Sequence, residues 1–284
     1  MRYLFNVMDK REIEIVVVSD VHLGTYGCHA MELNIYLNSI KPKILVLNGD
    51  IIDFWQFSKS YFPDSHIRII TTILKLIENG TTVYYITGNH DEKLRSFTNL
   101  HLDKLILTDK LIMNVDGKSM WFFHGDIFDF TMKHAKWLAK VGGKGYDALI
   151  VFNRIVNYIS MIIGRGRISL SKKIKDGVKS AVSFISDFEE TVIELALEQN
   201  FDYVLCGHIH SPVIKNIKRE GRELVYLNSG DWIENLTALE YKDKIWRIFR
   251  FHDEVEQTNT PQKANRQKEV KKELETIQLN SNKF

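Results

Sequence analysis

The spacing of apolar positions changes several times along the chain, and each change marks an element. Residues 12–19 and 44–48 are β-branched, largely apolar runs, the first closing on Ser19 before Asp20 and the second on Asn48-Gly49 before Asp50. Runs of that length and branching predict buried strands. Between them, residues 30–40 place their apolar side chains at helical intervals and stop before Pro42, which cannot continue a helix. The order repeats with a helix over 67–78, ended by Asn79-Gly80, and a strand over 82–87. This alternation predicts a βαβ-type start with a parallel sheet.

Further along the pattern shortens. Residues 105–108, 111–115 and 119–124 predict short strands, with Asp116-Gly117 as a hairpin turn. Residues 131–185 have a helical, basic pattern, and an amphipathic helix continues over 185–199. Strands return at 203–206, 213–218, 223–228, 236–241 and 245–251. The helical segment 131–185 therefore reads as an insertion that divides a core made of residues 1–130 and 186–252. From residue 253 the chain is rich in Lys, Glu, Gln and Asn. A frayed or disordered tail over 253–284 is expected, with a short surface helix as the competing reading.

Composition excludes the disordered and fibrous classes: 44% of residues are hydrophobic and 26% charged. The formal charge of +2 hides an asymmetry, because 131–185 holds eleven Lys or Arg against Asp147 and Asp176, a net of about +9. Such a block attracts anionic partners, whether phosphorylated substrate, acidic lipid or nucleic acid. Only Cys28 and Cys206 are present, and residues 1–10 lack the apolar run of a secretory signal, so a reducing, cytoplasmic setting is expected. The most apolar stretch, 149–163, is broken by Asn153, Arg154 and Asn157 and is shorter than the roughly 20 residues that cross a bilayer. No transmembrane span is expected.

Five short motifs carry the chemistry: Asp20-Val-His22, Gly49-Asp50, Gly88-Asn89-His90-Asp91, His124-Gly-Asp126 and Gly207-His208-Ile-His210. Each sits where an expected strand ends, and side chains at carboxyl-terminal strand ends are free to converge on one edge of a sheet. Carboxylate and amide oxygens with several imidazoles, and no thiolate, suit divalent Mn, Fe or Zn. In an extended chain the period of two puts His208 and His210 on one side, and Asp20 and His22 likewise. Asp53, Trp55 and Asp126 are expected to support these groups. His29, His66, His101, His134 and His252 lie outside every motif and are assigned ordinary surface or core roles.

The ordered set resembles the calcineurin-like metallophosphoesterases over residues 13–239. That resemblance implies a four-layer αββα sandwich of class α/β (α+β), with the insertion as a helical lid. It implies one metal held by Asp20, His22, Asp50 and His210, and a second held by Asp50, Asn89, His124 and His208, with Asp50 shared. Two such ions, Mn(II) first with Fe(II), Zn(II) or Mg(II) as alternatives, activate water against phosphorus, so no side-chain nucleophile is required. His90 is then the candidate proton donor to the leaving group, with Asp91 as the group that orients its ring.

Within that family the chain looks most like the UDP-2,3-diacylglucosamine pyrophosphatases, through Ser-Asp-Val-His-Leu-Gly (19–24), Asn-Gly-Asp-Ile-Ile-Asp-Phe-Trp (48–55), Phe-His-Gly-Asp (123–126) and the helical insertion. The resemblance implies a lipid-linked nucleotide sugar cleaved to UMP and a lipid monophosphate at the inner-membrane surface. Asn89, His90, His208, Ser171, Lys172 and Lys175 are the implied substrate contacts. The best-known members carry Arg after the motif Asn, where this chain has His90, as the wider family does. The apolar stripe 149–163 fits core packing as well as a lipid-binding surface. Two other functions compete: a phosphodiesterase acting on nucleotides or nucleic acid, and an inactive scaffold of the same fold. The first is disfavoured because Trp137, Tyr146 and Tyr158 are too sparse for a stacking platform. The second is disfavoured because no ligand is missing.

Overall fold

The structure, a computed structural model, describes residues 10–55, 61–128 and 178–258. The expected lid, including Ser171, Lys172 and Lys175, lies outside the described residues up to residue 177, as does the tail from residue 259. The chain enters through β1 (Arg11–Val18), α1 (Ala30–Asn38), β2 (Ile40–Asn48), α2 (Asp64–Glu78) and β3 (Thr82–Ile86). A 3₁₀ turn (Glu92–Phe97), β4 (His101–Leu102), β5 (Leu105–Thr108), β6 (Lys110–Val115) and β7 (Lys118–Phe123) follow. After α3 (Val178–Glu198) come β8 (Tyr203–Cys206), β9 (Val213–Arg219), β10 (Arg222–Asn228), β11 (Thr237–Lys242), β12 (Ile245–Arg250) and α4 (Phe251–Thr258).

The strands form two sheets. Seven lie in the order β12-β11-β1-β2-β3-β5-β4, and five in the order β6-β7-β8-β10-β9. At the centre of the first sheet β1, β2, β3 and β5 run parallel, and at the centre of the second β7, β8 and β10 do. Both sets of carboxyl ends can therefore carry ligands. The βαβ start is as expected.

Alternation along each strand divides the core into layers. Ile15, Val17, Val46 and Ile86 from the first sheet meet Met120, Phe122, Leu205 and Leu227 from the second in one buried cluster. The opposite face of the first sheet takes α1: Val16 pairs with Glu240 across β1 and β11, and Tyr36 of α1 donates its hydroxyl to Glu240 at 3.0 Å. On the far face of the second sheet, Phe188, Val192 and Ala196 of α3 pack on Trp121, Val204 and Tyr226. These layers give the expected αββα arrangement. Burying a side chain such as Phe188 or Val192 contributes about 1.5–3 kcal/mol each.

One boundary differs from expectation. β2 begins at Ile40 and runs through Pro42, although a proline lacks the ladder's donor. Pro42 lies before the first β2–β3 pair, Ile44 with Thr82, and its carbonyl accepts from Thr81 Oγ1 at 2.7 Å, so no β3 acceptor is left waiting. From Val178 the described chain is helical, as α3. Residues 253–258 lie in the helix α4, which matches the competing helical reading of the start of the tail.

Candidate metal centre

The five motifs leave the two sheets at the carboxyl ends of β1, β2, β3, β7 and β8. Leaving a strand this abruptly demands unusual backbone. Asp20, His22, Asp50, His208 and His210 all have positive φ, between 51° and 66°. That left-handed region costs an L-residue roughly 1–2 kcal/mol and is entered most readily by Gly, Asn and Asp. Strain collected at five positions of one edge is a mark of a functional site.

The turns also need small neighbours. Gly49 has a φ of +84°, and a Cβ there would collide with the His124 ring. A Cβ on Gly88 would collide with the Asp50 carboxylate. Each glycine in the Gly-Asp and Gly-Asn-His pairs thus lets a ligand from another strand close over it.

The donor atoms of the predicted ligands converge in two groups, and His22 also lies in a third with Asp53 and His90. Asp20, His22 and His210 form one, and Asp50, His124 and His208 the other; within each group one donor atom per residue lies within 4.8 Å of the rest. Asn89 sits between Gly88, against Asp50, and His90, whose N–H donates to Asp50 Oδ1 at 2.8 Å. Among the described residues, Asp20 Oδ1, His22 Nε2, Asn89 Oδ1 and His124 Nε2 are buried without a hydrogen-bond partner. His210 Nε2 approaches Asp20 Oδ1 to 3.1 Å, and His124 Nε2 approaches Asp50 Oδ2 to 3.2 Å, close but without hydrogen-bond alignment. Buried oxygens and imidazole nitrogens that face one another unused fit divalent cations by both chemistry and position.

The other edge of the His22 and His124 rings is held. His22 Nδ1 lies 3.1 Å from Asp53 Oδ2, and His124 Nδ1 lies 2.9 Å from the Asn48 carbonyl. His210 Nδ1 lies 4.0 Å from Asp231, while Asn235 binds the His210 carbonyl at 3.0 Å. Such partners fix the tautomer and aim Nε2 inward. Asp53 Oδ2 also meets His90 Nδ1 at 2.8 Å, and the His90 ring lies 4.3 Å from that of Trp55 and 4.6 Å from that of His22, centroid to centroid. Asp53 thus supports the ligands as the sequence predicts, but the expected orienting of His90 by Asp91 is not what the structure has. The Asp91 carboxylate accepts from Ile51 N at 2.9 Å and Tyr85 Oη at 2.7 Å and from Gly88 N, so it braces the loop instead.

Charge follows the same arrangement. Burial opposes ionisation of Asp20, but His210 and His124 hold its pKa down at about 2. Asp50 is likewise held below the usual carboxylate range, burial being outweighed by His124. Burial would lower His210, yet Asp20 raises it to about 9. Asp91 moves the other way, pushed up by burial and by Asp50. The carboxylates facing the cluster are thus charged and the bracing one less readily so.

Two supporting groups were missed in the sequence. Asp231 closes β10 in Asn228-Ser-Gly-Asp, the same strand-end pattern as the ligand motifs, and that was its signal. The Asn48 carbonyl had none, since any residue offers one. His66, assigned an ordinary role, is buried and accepts from Gly24 N at 3.0 Å, fixing the loop after His22.

The profile of a family described as Calcineurin-like phosphoesterase matches residues 13–212. A protein of Aliivibrio fischeri (strain MJ11) named UDP-2,3-diacylglucosamine hydrolase is 25% identical over 241 residues, covering 83% of this chain and 98% of that one. One of the same name from Stenotrophomonas maltophilia (strain K279a) is 21% identical over 239 residues, covering 81% and 96%. Among solved structures, a phosphoesterase from E. coli superposes with a TM-score of 0.42 at 15% identity, covering 84% of this chain and 93% of that one.

Proposed function

We propose that this chain, which belongs to the calcineurin-like phosphoesterase family and is a metal-dependent hydrolase, cleaves the pyrophosphate of UDP-2,3-diacylglucosamine to UMP and the lipid monophosphate. The observation that carries this reading is a donor set without gaps on a chain that shares nearly the whole length of relatives named for hydrolysing that compound.

Asp20, His22, Asp50 and His210 would hold one divalent ion, and Asp50, Asn89, His124 and His208 the other, with Mn(II) the favoured metal. When bound, such a pair polarises the phosphoryl group and makes water nucleophilic at neutral pH. The chain's own groups supply orientation and a proton. Asp53 and the Asn48 carbonyl occupy Nδ1 of His22 and His124, which leaves Nε2 of each for metal. His90 is the proton donor to the leaving oxygen: burial disfavours its cationic form, but the Asp53 hydrogen bond and the charge of Asp50 raise its pKa, so it stays protonated at higher pH than a free imidazole. Asn89, His90 and His208 would face the phosphates. Ser171, Lys172 and Lys175 would contact the nucleotide sugar, and the basic, apolar insertion would cover the acyl chains at a membrane surface. No helix among the described residues is long and apolar enough to cross a membrane.

The test is product analysis by mass spectrometry with the full chain, Mn(II) and UDP-2,3-diacylglucosamine. Equimolar UMP and lipid monophosphate are expected. An intact lipid substrate alongside cleavage of a simple aryl phosphodiester would overturn the specificity and leave only the reaction class.

A further inference from the structure

Arg95 is 7% exposed, deep for a permanently charged side chain, and it lies in the 3₁₀ turn just after the Gly-Asn-His-Asp motif. Its guanidinium reaches two loops. Nε donates to Thr87 Oγ1 at 3.2 Å and Nη2 to the Thr87 carbonyl at 3.4 Å. Nη2 also donates to Asp126 Oδ2 at 2.6 Å. Asp109 Oδ1 lies 3.6 Å from Nε and accepts from Thr87 Oγ1 at 2.8 Å.

Thr87 follows β3, in the seven-stranded sheet, immediately before Gly88 and Asn89. Asp126 follows β7, in the five-stranded sheet, two residues after His124. One planar fork therefore ties together the loops that bring Asn89 and His124 from different sheets to the same point. Stability alone explains this poorly, because a buried ion pair is often matched or bettered by apolar residues of similar volume. A rigid fork with fixed donor directions sets a distance, which lysine's point charge does not.

We propose that Arg95 is a positioning residue for the second metal, holding the Asn89 loop at its working separation from His124. The inference rests on the ligand set proposed above. It is asymmetric: the contacts of Arg95 are with the Asn89 and His124 loops and with Asp109, which itself holds Thr87, whereas Asp20, His22 and His210 converge from β1 and β8. His124 has a separate tie, through Nδ1 and the Asn48 carbonyl, and Asn48 Nδ2 donates to the Phe123 carbonyl at 3.0 Å. Loss of Arg95 therefore loosens the Asn89 loop, which keeps its ties through Asp91 and Asp50, while His124 stays anchored.

The test is Mn(II) titration of the full chain by calorimetry, with electron paramagnetic resonance at each step, on the unaltered protein, Arg95→Lys, and the double variant Arg95→Met/Asp126→Asn. The double variant removes both buried charges together, so a fold that rejects one orphaned carboxylate is still tested. The unaltered chain should take two equivalents with an exchange-coupled signal. Both variants should bind the first equivalent unchanged and the second about 10–100-fold more weakly, the usual scale for groups that orient metal ligands, with the six-line mononuclear signal persisting. Wild-type affinity at both steps in the variants would overturn the proposal, as would equal weakening of both. Fewer than two equivalents in the unaltered chain would overturn the ligand set itself.

Discussion

Asp53 is the residue on which orientation and proton transfer meet. One of its carboxylate oxygens engages Nδ1 of both His22 and His90, so a metal ligand and the proposed proton donor share an anchor. Asp53→Asn should keep the fold, since Asp53 is replaced by a near isostere, but lower turnover by about 10–100-fold. Steady-state kinetics with metal analysis checks this, and unchanged turnover at full metal content would remove Asp53 from the account. The ligand residues were legible in the sequence because Asp, Asn and His recur at strand ends in fixed short spacings. Their orienting partners were legible only when they carry a distinctive side chain near a motif, as Asp53 does three positions after Asp50. Asp91 shows the limit: adjacency to His90 suggested a bond to its ring, whereas the backbone turns that carboxylate toward Gly88, Ile51 and Tyr85.

Strands and helices were legible where hydrophobic period and length agree. β1, β3, β5 and β8 lie within two residues of expectation because each holds a run of β-branched, aromatic or other large apolar residues. The start of β2 was hidden by Lys41 and Lys43, which alternate outward while Ile40 and Pro42 are buried. A basic stretch holding a proline reads as a loop until the neighbouring strand is known. α3 lies where the sequence predicts an amphipathic helix over 185–199. Its buried face is what fastens the second sheet: Phe188 is fully buried, edge-on to Phe128 at 5.9 Å between centroids, and packs against Gly125 in the His124 loop. Phe188→Ala should cost about 3–5 kcal/mol, read by chemical denaturation. A cost under about 1 kcal/mol would mean that α3 is not a fixed wall of the core.

At the scale of the whole molecule, the parallel strands of both sheets open their carboxyl ends on one site, and the metals would sit where the sheets meet. Neither sheet holds a full set: Asp20, His22, Asp50 and Asn89 come from the first, His124, His208 and His210 from the second. The centre therefore depends on the αββα packing, and metal binding should in turn hold the sheets together. The sequence conveyed this layered class through its motif order, but the way one sheet is tied to the other at the site, through Asn48 and Arg95, emerges only in three dimensions. The most direct test of a two-metal hydrolase strips the chain with chelator and returns Mn(II) in fractions of an equivalent while phosphodiester hydrolysis and bound metal are measured together. Activity should be absent without metal and rise to its plateau at two bound equivalents per chain. Hydrolysis that survives full chelation, or that saturates with one ion bound, would contradict the account.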